Sequence, residues 1–343
     1  MTNWPPSIRE KWFVAARSEQ LHRRPLGVSV LAVPLVLGRT QQGSVFAFED
    51  RCPHRQVPLS AGRITENGLQ CVYHGWTFGA DGKCRAIPGL GPDDPIPSLG
   101  VKTVVCLEIN GLIWVRLAKA SVGNAPDMAP PLSMTTPLAG ATSLSWQTKW
   151  KTSAIDAIEN FLDPLHTHTI HPGLVRKSGN RKSVSATVKL TEDGFIVEYG
   201  GQEQQSGLLY QLFESLRVSE RAVFAGAASA KIEYRYKNNS AINITLHFTP
   251  ETSSTTHVFA LIEVANRWAP RWALQLFAWP FLRKVARQDQ EIVELQSSNK
   301  LRFVEIQGMS TQLDLVRPYL EKLWEQNNGS SLERFEKTIM LHI

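Results

Sequence analysis

Two short cysteine–histidine pairs constrain this chain more than any other feature of its sequence. Cys52-Pro53-His54 is followed, after sixteen intervening residues, by Cys71-Val72-Tyr73-His74. Each pair can grip one side of a metal centre from a tight loop, and Gly75 follows the second. Tetrahedral zinc takes the same residue types, but its sites usually keep cysteine with cysteine and histidine with histidine. Here each loop brings one of each. That split suits a [2Fe–2S] centre in which one iron takes both thiolates and the other both imidazoles. Zinc and coincidental core residues are the competing readings of these positions.

The rest of the composition narrows the class. The chain has 343 residues, 43% hydrophobic and 20% charged, as expected of a globular protein with a real core. Lys and Arg total 37 against 31 Asp and Glu, and the resulting +6 is scattered along the chain. Scattered charge reads as a solvated surface, so no nucleic-acid partner is expected. Four cysteines are too few for a disulfide scaffold. The N-terminus lacks a signal-peptide pattern. The longest apolar run, Val28 to Leu37, is interrupted by Ser29 and Pro34. A membrane helix needs about 20 apolar residues, so no membrane association and a cytoplasmic location are expected.

The first third reads as β. Apolar runs at 28–37 and 45–48 are separated by turn residues, and Leu112 to Leu117 closes the region as another strand. A small all-β domain is expected over 8–118. Residues 119–140, with Pro126, Pro130, Pro131 and Pro137, read as a linker unable to hold a helix. A second domain is expected over 141–343. It has a helix at 154–166, strands between 183 and 264, and helices at 270–300 and 309–326. The whole is α+β, an all-β domain followed by helices packed on an antiparallel sheet.

A second constellation lies in that second domain. The segment from Glu159 through Asn160, Asp163 and His166 to His171 holds three histidines in six residues, His168 being the third. The acids Asp156, Glu159 and Asp163, with Asn160, are compatible with a solvated helix face. The histidines are less so, because imidazole is the commonest protein ligand for a first-row metal. Oxygen-activating mononuclear iron usually takes two histidines and one carboxylate on one face. In Arg283 to Gln296, helical spacing puts Asp289 on the apolar stripe of Leu282, Val285, Ile292 and Val293. A carboxylate there costs desolvation free energy unless a metal or another cation compensates it. A salt bridge to Arg287 is the competing reading.

These motifs resemble the Rieske non-haem iron oxygenases. Cys52-Pro53-His54-Arg55 and Cys71-Val72-Tyr73-His74-Gly75-Trp76 look like their cluster motifs, without the extra loop cysteines of respiratory Rieske proteins. Asp163, His166 and His171 resemble their iron-binding helix, and Gln288-Asp289 through Gln296 the helix of the third ligand. The closest resemblance is to the short O-demethylase-like aromatic oxygenases. The resemblance implies a Rieske domain followed by a helix-grip catalytic domain. It implies one [2Fe–2S] cluster on Cys52, His54, Cys71 and His74, and one mononuclear Fe(II) on His166, His171 and Asp289. Asp163 would bridge an iron ligand to a cluster histidine of a neighbouring subunit in a homotrimer, Asn160 would lie near the iron, and His168 has no role in the pattern. With no G-x-G-x-x-G loop, the chain would depend on a separate reductase or ferredoxin. The expected reaction is O₂-dependent hydroxylation or O-/N-demethylation of a small aromatic substrate. The alternatives are cis-dihydroxylation, or an electron-carrier or ligand-binding Rieske protein without oxygenase chemistry. The substrate pocket is expected between the sheet of 183–264 and the helices around Trp268–Phe281.

Overall fold

A computed structural model describes residues 4–91, 93–117, 129–176, 181–200, 215–266, 272, 274–304, 308–325 and 336–343. The chain divides into two compact units, residues 1–130 and 131–343.

Among its described residues the first unit has a single α-helical turn, α1 (Pro6–Arg9), two short 3₁₀ turns and ten strands. The strands are β1 (Trp12–Arg17), β2 (Leu26–Val30), β3 (Val33–Arg39), β4 (Val45–Glu49), β5 (Arg63–Thr65), β6 (Gly68–Gln70), β7 (Thr77–Phe78), β8 (Cys84–Ala86), β9 (Thr103–Ile109) and β10 (Leu112–Arg116). Six form one antiparallel sheet in the order β1-β10-β9-β4-β3-β2, and β5 to β8 form a second, smaller meander. The apolar run 28–37 is therefore not one strand but a hairpin. Leu31 and Ala32 turn it, with φ of 52° and 60°. Two consecutive left-handed residues make the turn that matches strand twist, and Asn-Gly is its usual signal. Here the turn is apolar, which hid it. Leu31 is only 1% exposed, and burying a leucine is worth about 2 kcal/mol, which offsets part of the strain.

The second unit is an eight-stranded antiparallel sheet with helices on it. Its strands are β11 (Thr142–Trp150), β12 (Ser183–Leu190), β13 (Gly194–Gly200), β14 (Arg217–Ala225), β15 (Ser229–Tyr236), β16 (Ala241–Thr252), β17 (Thr255–Ala265) and β18 (Glu336–His342), in the order β11-β17-β16-β15-β14-β13-β12-β18. Alternation along β16 turns Ile244, Leu246 and Phe248 to the helical face. The polar residues between them are not solvated, as alternation alone suggests. Asn243, Thr245, His247 and Thr249 are at most 3% exposed, and Ser229 Oγ lies 2.9 Å from His247 Nδ1.

Part of that second face is covered by a segment expected to be helix-free. Residues 119–128 of the expected linker lie outside the described residues. Within the remainder, Leu132–Thr135 forms a one-turn helix, α2, whose Met134 packs on Val223 and Ala225. Prolines do not prevent this, because Pro131 precedes the turn and Pro137 follows it.

Helix α3 (Ala154–Leu162) starts where the Ser153 hydroxyl accepts a hydrogen bond from Asp156 N at 3.2 Å. It ends at Leu162 rather than 166. Asp163 precedes a proline and is extended, with φ −82° and ψ 117°, as the proline ring demands. A separate turn, α4 (Thr167–Ile170), follows. In the C-terminal part, a π-helical turn at Leu274–Ala278 runs into α5 (Trp279–Lys300), and α6 spans Arg317–Glu325. Residues 309–316, expected to be helical, are therefore not. The α6 helix starts beside Pro318, a residue suited to a first turn and not to a helix interior.

The acidic face of α3 is not solvated either. Asp156 is 5% exposed and accepts hydrogen bonds from Lys300 Nζ at 2.8 and 2.9 Å and from Arg317 Nη1 at 2.6 Å. Arg317 also reaches Glu159 at 2.8 Å. Burial works to raise the Asp156 carboxyl, but the bonds from Lys300 and Arg317 outweigh it and hold it below its ordinary value. A depressed carboxyl contributes stability above its unfolded pKa of about 4 and loses it as pH falls through the folded value. Asp156→Asn is expected to cost about 2 kcal/mol at pH 7. In urea titrations the gap to the parent chain should close towards pH 3.

Candidate metal centres

The two cysteine–histidine loops share one backbone plan. In the first, Cys52 N donates to Val57 O at 2.9 Å and Gln56 N to Cys52 O at 2.8 Å. In the second, Cys71 N donates to Trp76 O at 2.8 Å and Gly75 N to Cys71 O at 3.2 Å. The residue four positions after each cysteine is left-handed, with φ of 61° at Gln56 and 70° at Gly75. Each loop thus folds back on its own cysteine. Cys52 and Cys71 are buried in the core with Phe48, Leu69 and Phe78. The His54 and His74 rings lie 4.6 Å apart, and His54 stacks on Trp76 at 4.5 Å and 6°.

Burial pushes the Cys52 thiol up, opposed in part by the His54 backbone N–H. A proton therefore stays on that sulfur unless a metal replaces it. Burial, helped by His74 and Arg55, holds His54 below its ordinary value and so neutral, as a ligand must be. His54 Nδ1 is buried without a hydrogen bond. Two sheltered thiols, two converging imidazoles and an orphaned ring nitrogen fit a [2Fe–2S] cluster.

The second constellation is assembled from α3, α4 and α5. Because Asp163 breaks the helix, His166 and His171 are not held to one helical face. His166 begins the α4 turn, its carbonyl accepting from Thr169 N and Ile170 N at 2.9 Å each, and His171 closes it. The two rings stand 5.3 Å apart at 78°. Asp289 Oδ1 of α5 lies 2.9 Å from His171 Nε2 and 3.3 Å from His166 Nε2. One ligand atom from each of the three falls within 4.8 Å of the others. His171 is 1% exposed, and the side chains of His166 and Asp289 are each 16% exposed. Arg287 does not take Asp289, because it pairs with Glu291 at 2.8 Å.

The charges are strongly coupled. Burial lowers His166, but Asp163 and Asp289 outweigh it and push it up to about 9. Burial raises Asp289, yet the two histidines bring it down to about 2. In the metal-free pocket the carboxylate is matched by a proton on imidazole; a divalent ion can take that place. Two imidazoles and one carboxylate on one side of a cavity fit a mononuclear iron with open positions. Asp163 stands behind His166, with Oδ2 3.7 Å from Nδ1, an ion-pair distance, and Oδ1 accepting from Leu165 N at 2.8 Å. His168 is buried but stands outside the ligand cluster.

The triad opens onto a cavity of about 140 Å³ between the sheet and α5. Its walls are largely apolar, including Phe161, Ile232, Leu246, Val258, Phe281 and Val285. Trp268, expected at this pocket, lies outside the described residues. Asn160 faces the cavity, and its Nδ2 is buried without a hydrogen bond.

Sequence reasoning missed several contributors. Gln288 Oε1 lies 3.0 Å from His171 Nδ1 and orients that ring, a role its adjacency to Asp289 could have suggested. Trp76, two residues beyond His74, stacks on His54. Arg176, Glu220 and Tyr234 line the cavity, and nothing in their spacing announced it.

Residues 11–105 match the family model of the Rieske [2Fe–2S] domain, and 150–320 match that of the vanillate O-demethylase oxygenase C-terminal domain. The dicamba O-demethylase oxygenase component of Stenotrophomonas maltophilia is 41% identical over 123 residues, 35% of this chain and 36% of that protein. The 3-chlorobenzoate-3,4-dioxygenase oxygenase subunit of Comamonas testosteroni is 32% identical over 169 residues, 48% of this chain and 38% of that protein. These matched stretches cover less than half of each relative's length. The crystal structure of dicamba monooxygenase bound to dicamba superposes with a TM-score of 0.75 at 22% identity, over 93% of this chain and 98% of that one. Fold and donor sets together define a two-domain iron protein. The chain belongs to the Rieske oxygenase family, with a catalytic domain of the vanillate O-demethylase type. That family carries a Rieske cluster in the first domain and a mononuclear iron in the second.

Because Gln288 fixes the His171 ring, Gln288→Leu is expected to weaken mononuclear iron binding about 10- to 100-fold. Chelator competition measures this, and the cluster's visible absorbance, which should not change, serves as the internal reference.

Proposed function

We propose that this chain is the oxygenase component of a multicomponent Rieske monooxygenase that hydroxylates or demethylates a small aromatic compound. One observation carries the reading: a largely buried two-histidine, one-carboxylate set opens onto a mostly apolar cavity sized for a single ring. When bound, the cluster supplies electrons one at a time and the ferrous iron activates O₂. For a methyl ether the sum is substrate, O₂, two electrons and two protons giving phenol, formaldehyde and water.

The chain's own residues supply the order. His166, His171 and Asp289 would hold the metal, and Gln288 keeps His171 in a single orientation. Phe161, Leu246 and Val258 exclude water from the reacting carbon. Asn160 offers a donor inside the cavity. In a homotrimer, Asp163, which stands against His166, would link it to a cluster histidine of a neighbouring copy. A separate reductase or ferredoxin delivers them. No described helix is long and apolar enough to cross a membrane, which suits an enzyme meeting a diffusing reductase.

Asp289→Ala is expected to leave the cluster's visible spectrum intact, to reduce iron from three to two per chain, and to lower substrate-dependent O₂ uptake at least 100-fold. Metal analysis and an oxygen electrode with a surrogate reductase check this. Turnover persisting in the variant would remove Asp289 as the iron ligand, absence of substrate-dependent O₂ uptake in the parent chain would replace the oxygenase reading with an electron carrier, and a diol product would replace demethylation with dihydroxylation.

A further inference from the structure

Strand β11 and helix α5 are fastened to each other along their length, and both contribute walls to the cavity that faces the triad. Lys151 N donates to Glu294 at 2.9 Å, Gln290 Nε2 donates to Lys149 O at 3.2 Å, and the Thr148 hydroxyl reaches Gln290 Oε1 at 3.4 Å. Towards the start of the helix the fastening changes kind. Trp146 meets Trp279, the first residue of α5, edge to face, with ring centroids 4.8 Å apart and planes at 70°. Trp146 lines the cavity and Trp279 does not, so one indole forms wall and the other braces it.

The spacing fixes which end of the cavity this pair closes. Gln290 follows the metal ligand Asp289, so its bond to Thr148 marks the metal end. Trp146 lies two residues back along β11, about 7 Å in an extended strand. Trp279 lies ten residues back from Asp289 along α5, about 15 Å of helix. Between them Phe281, Leu282, Val285 and Ala286 line the cavity. The floor beside Trp146 is shallow, because its partner across the ladder is Ala260, which also lines the cavity. Small side chains make the room and the largest one ends it. An edge-to-face aromatic pair is held more firmly than contact area alone provides. This end therefore does not give way as a lone flexible side chain would.

We propose that Trp146, braced by Trp279, is the specificity-determining end wall of the cavity: one ring fits between it and the metal, and a second ring in line with the first is shut out. The inference rests on the oxygenase reading for what becomes of the ring at the metal end, but not for the size limit. The cavity, about 140 Å³, is close to the roughly 150 Å³ that takes up one benzene ring. A second ring has no room while the indole stays in place. Shortening Trp146 joins the space it fills to the cavity, and removing Trp279 frees Trp146 to swing aside.

The test uses the full chain with cluster and iron in place and two neutral methyl ethers, anisole and 4-methoxybiphenyl, which differ only by the second ring. Anaerobic calorimetry on the parent chain should show anisole binding at least about 10-fold tighter. In Trp146→Ala the two-ring ether should gain at least about 10-fold, because its second ring is then buried, and Trp146→Phe should give part of that gain. Trp279→Ala, which removes the brace and no wall, should move the same way and stands in if Trp146→Ala fails to fold. Val258→Ala, which widens the cavity elsewhere, should leave the preference as it was. The two-ring ether binding the parent chain as tightly as anisole overturns the proposal. So does a folded Trp146→Ala without the gain, an equal gain in Val258→Ala, or no binding of either ether to any of these proteins. O₂ uptake read on the same samples separates the two claims. A two-ring gain in Trp146→Ala, without turnover in any protein, upholds the wall and ends the oxygenase reading. Turnover of anisole, with the two-ring ether still excluded from Trp146→Ala, does the reverse.

Discussion

A carboxylate buried between two imidazoles is the constraint on which the second half of this protein is built. Asp289 is tolerable inside an apolar cavity only because His166 and His171 meet it at 3.3 and 2.9 Å. An isolated buried charge costs several kcal/mol, so any shift of α5 along its axis would be penalised. The helix is secured accordingly. Gln290 donates to Lys149 O, Lys151 N donates to Glu294, and Lys300 reaches Asp156, three ties spread over its length. Those ties set the height of Asp289 relative to the sheet, and with it the position at which the three donors converge.

The first unit solves a similar problem with backbone. Two loops of the same hydrogen-bond plan present a cysteine inwards and a histidine outwards, and the left-handed residue after each pair closes the loop. The sulfurs lie in the core and His74 lies at the surface. Charge stored on such a centre is insulated on one side and reachable on the other. That asymmetry is what an electron relay requires.

Much of this was legible in the residues, for a definite reason. Metal donors are few in kind, and their spacing survives whatever fold carries them, so the four cluster positions and the triad stand out in the residue order alone. Asp289 was legible because a carboxylate on the Leu282–Val285–Val293 stripe is anomalous. Other features were not legible because they depend on partners distant in sequence. The acids of α3 look like a solvated face until Arg317 and Lys300 close over them. The hairpin at Leu31-Ala32 lacks turn residues because burial, not local preference, stabilises it. The helix Leu132–Thr135 forms because Met134 has Val223 and Ala225 to pack on.

By itself the sequence determined which atoms could hold metal, and that an all-β part precedes a helix-and-sheet part. Periodicity and donor chemistry are local and need no third dimension. Only the tertiary structure decided that Asp289, more than a hundred residues beyond His171, stands within hydrogen-bonding distance of it. It alone decided that Gln288 orients that ring and that Arg176, Arg217 and Glu220 gather beside the cavity. Such meetings are made by strand register and helix docking, and burial of surface far from the site supplies the free energy that holds them.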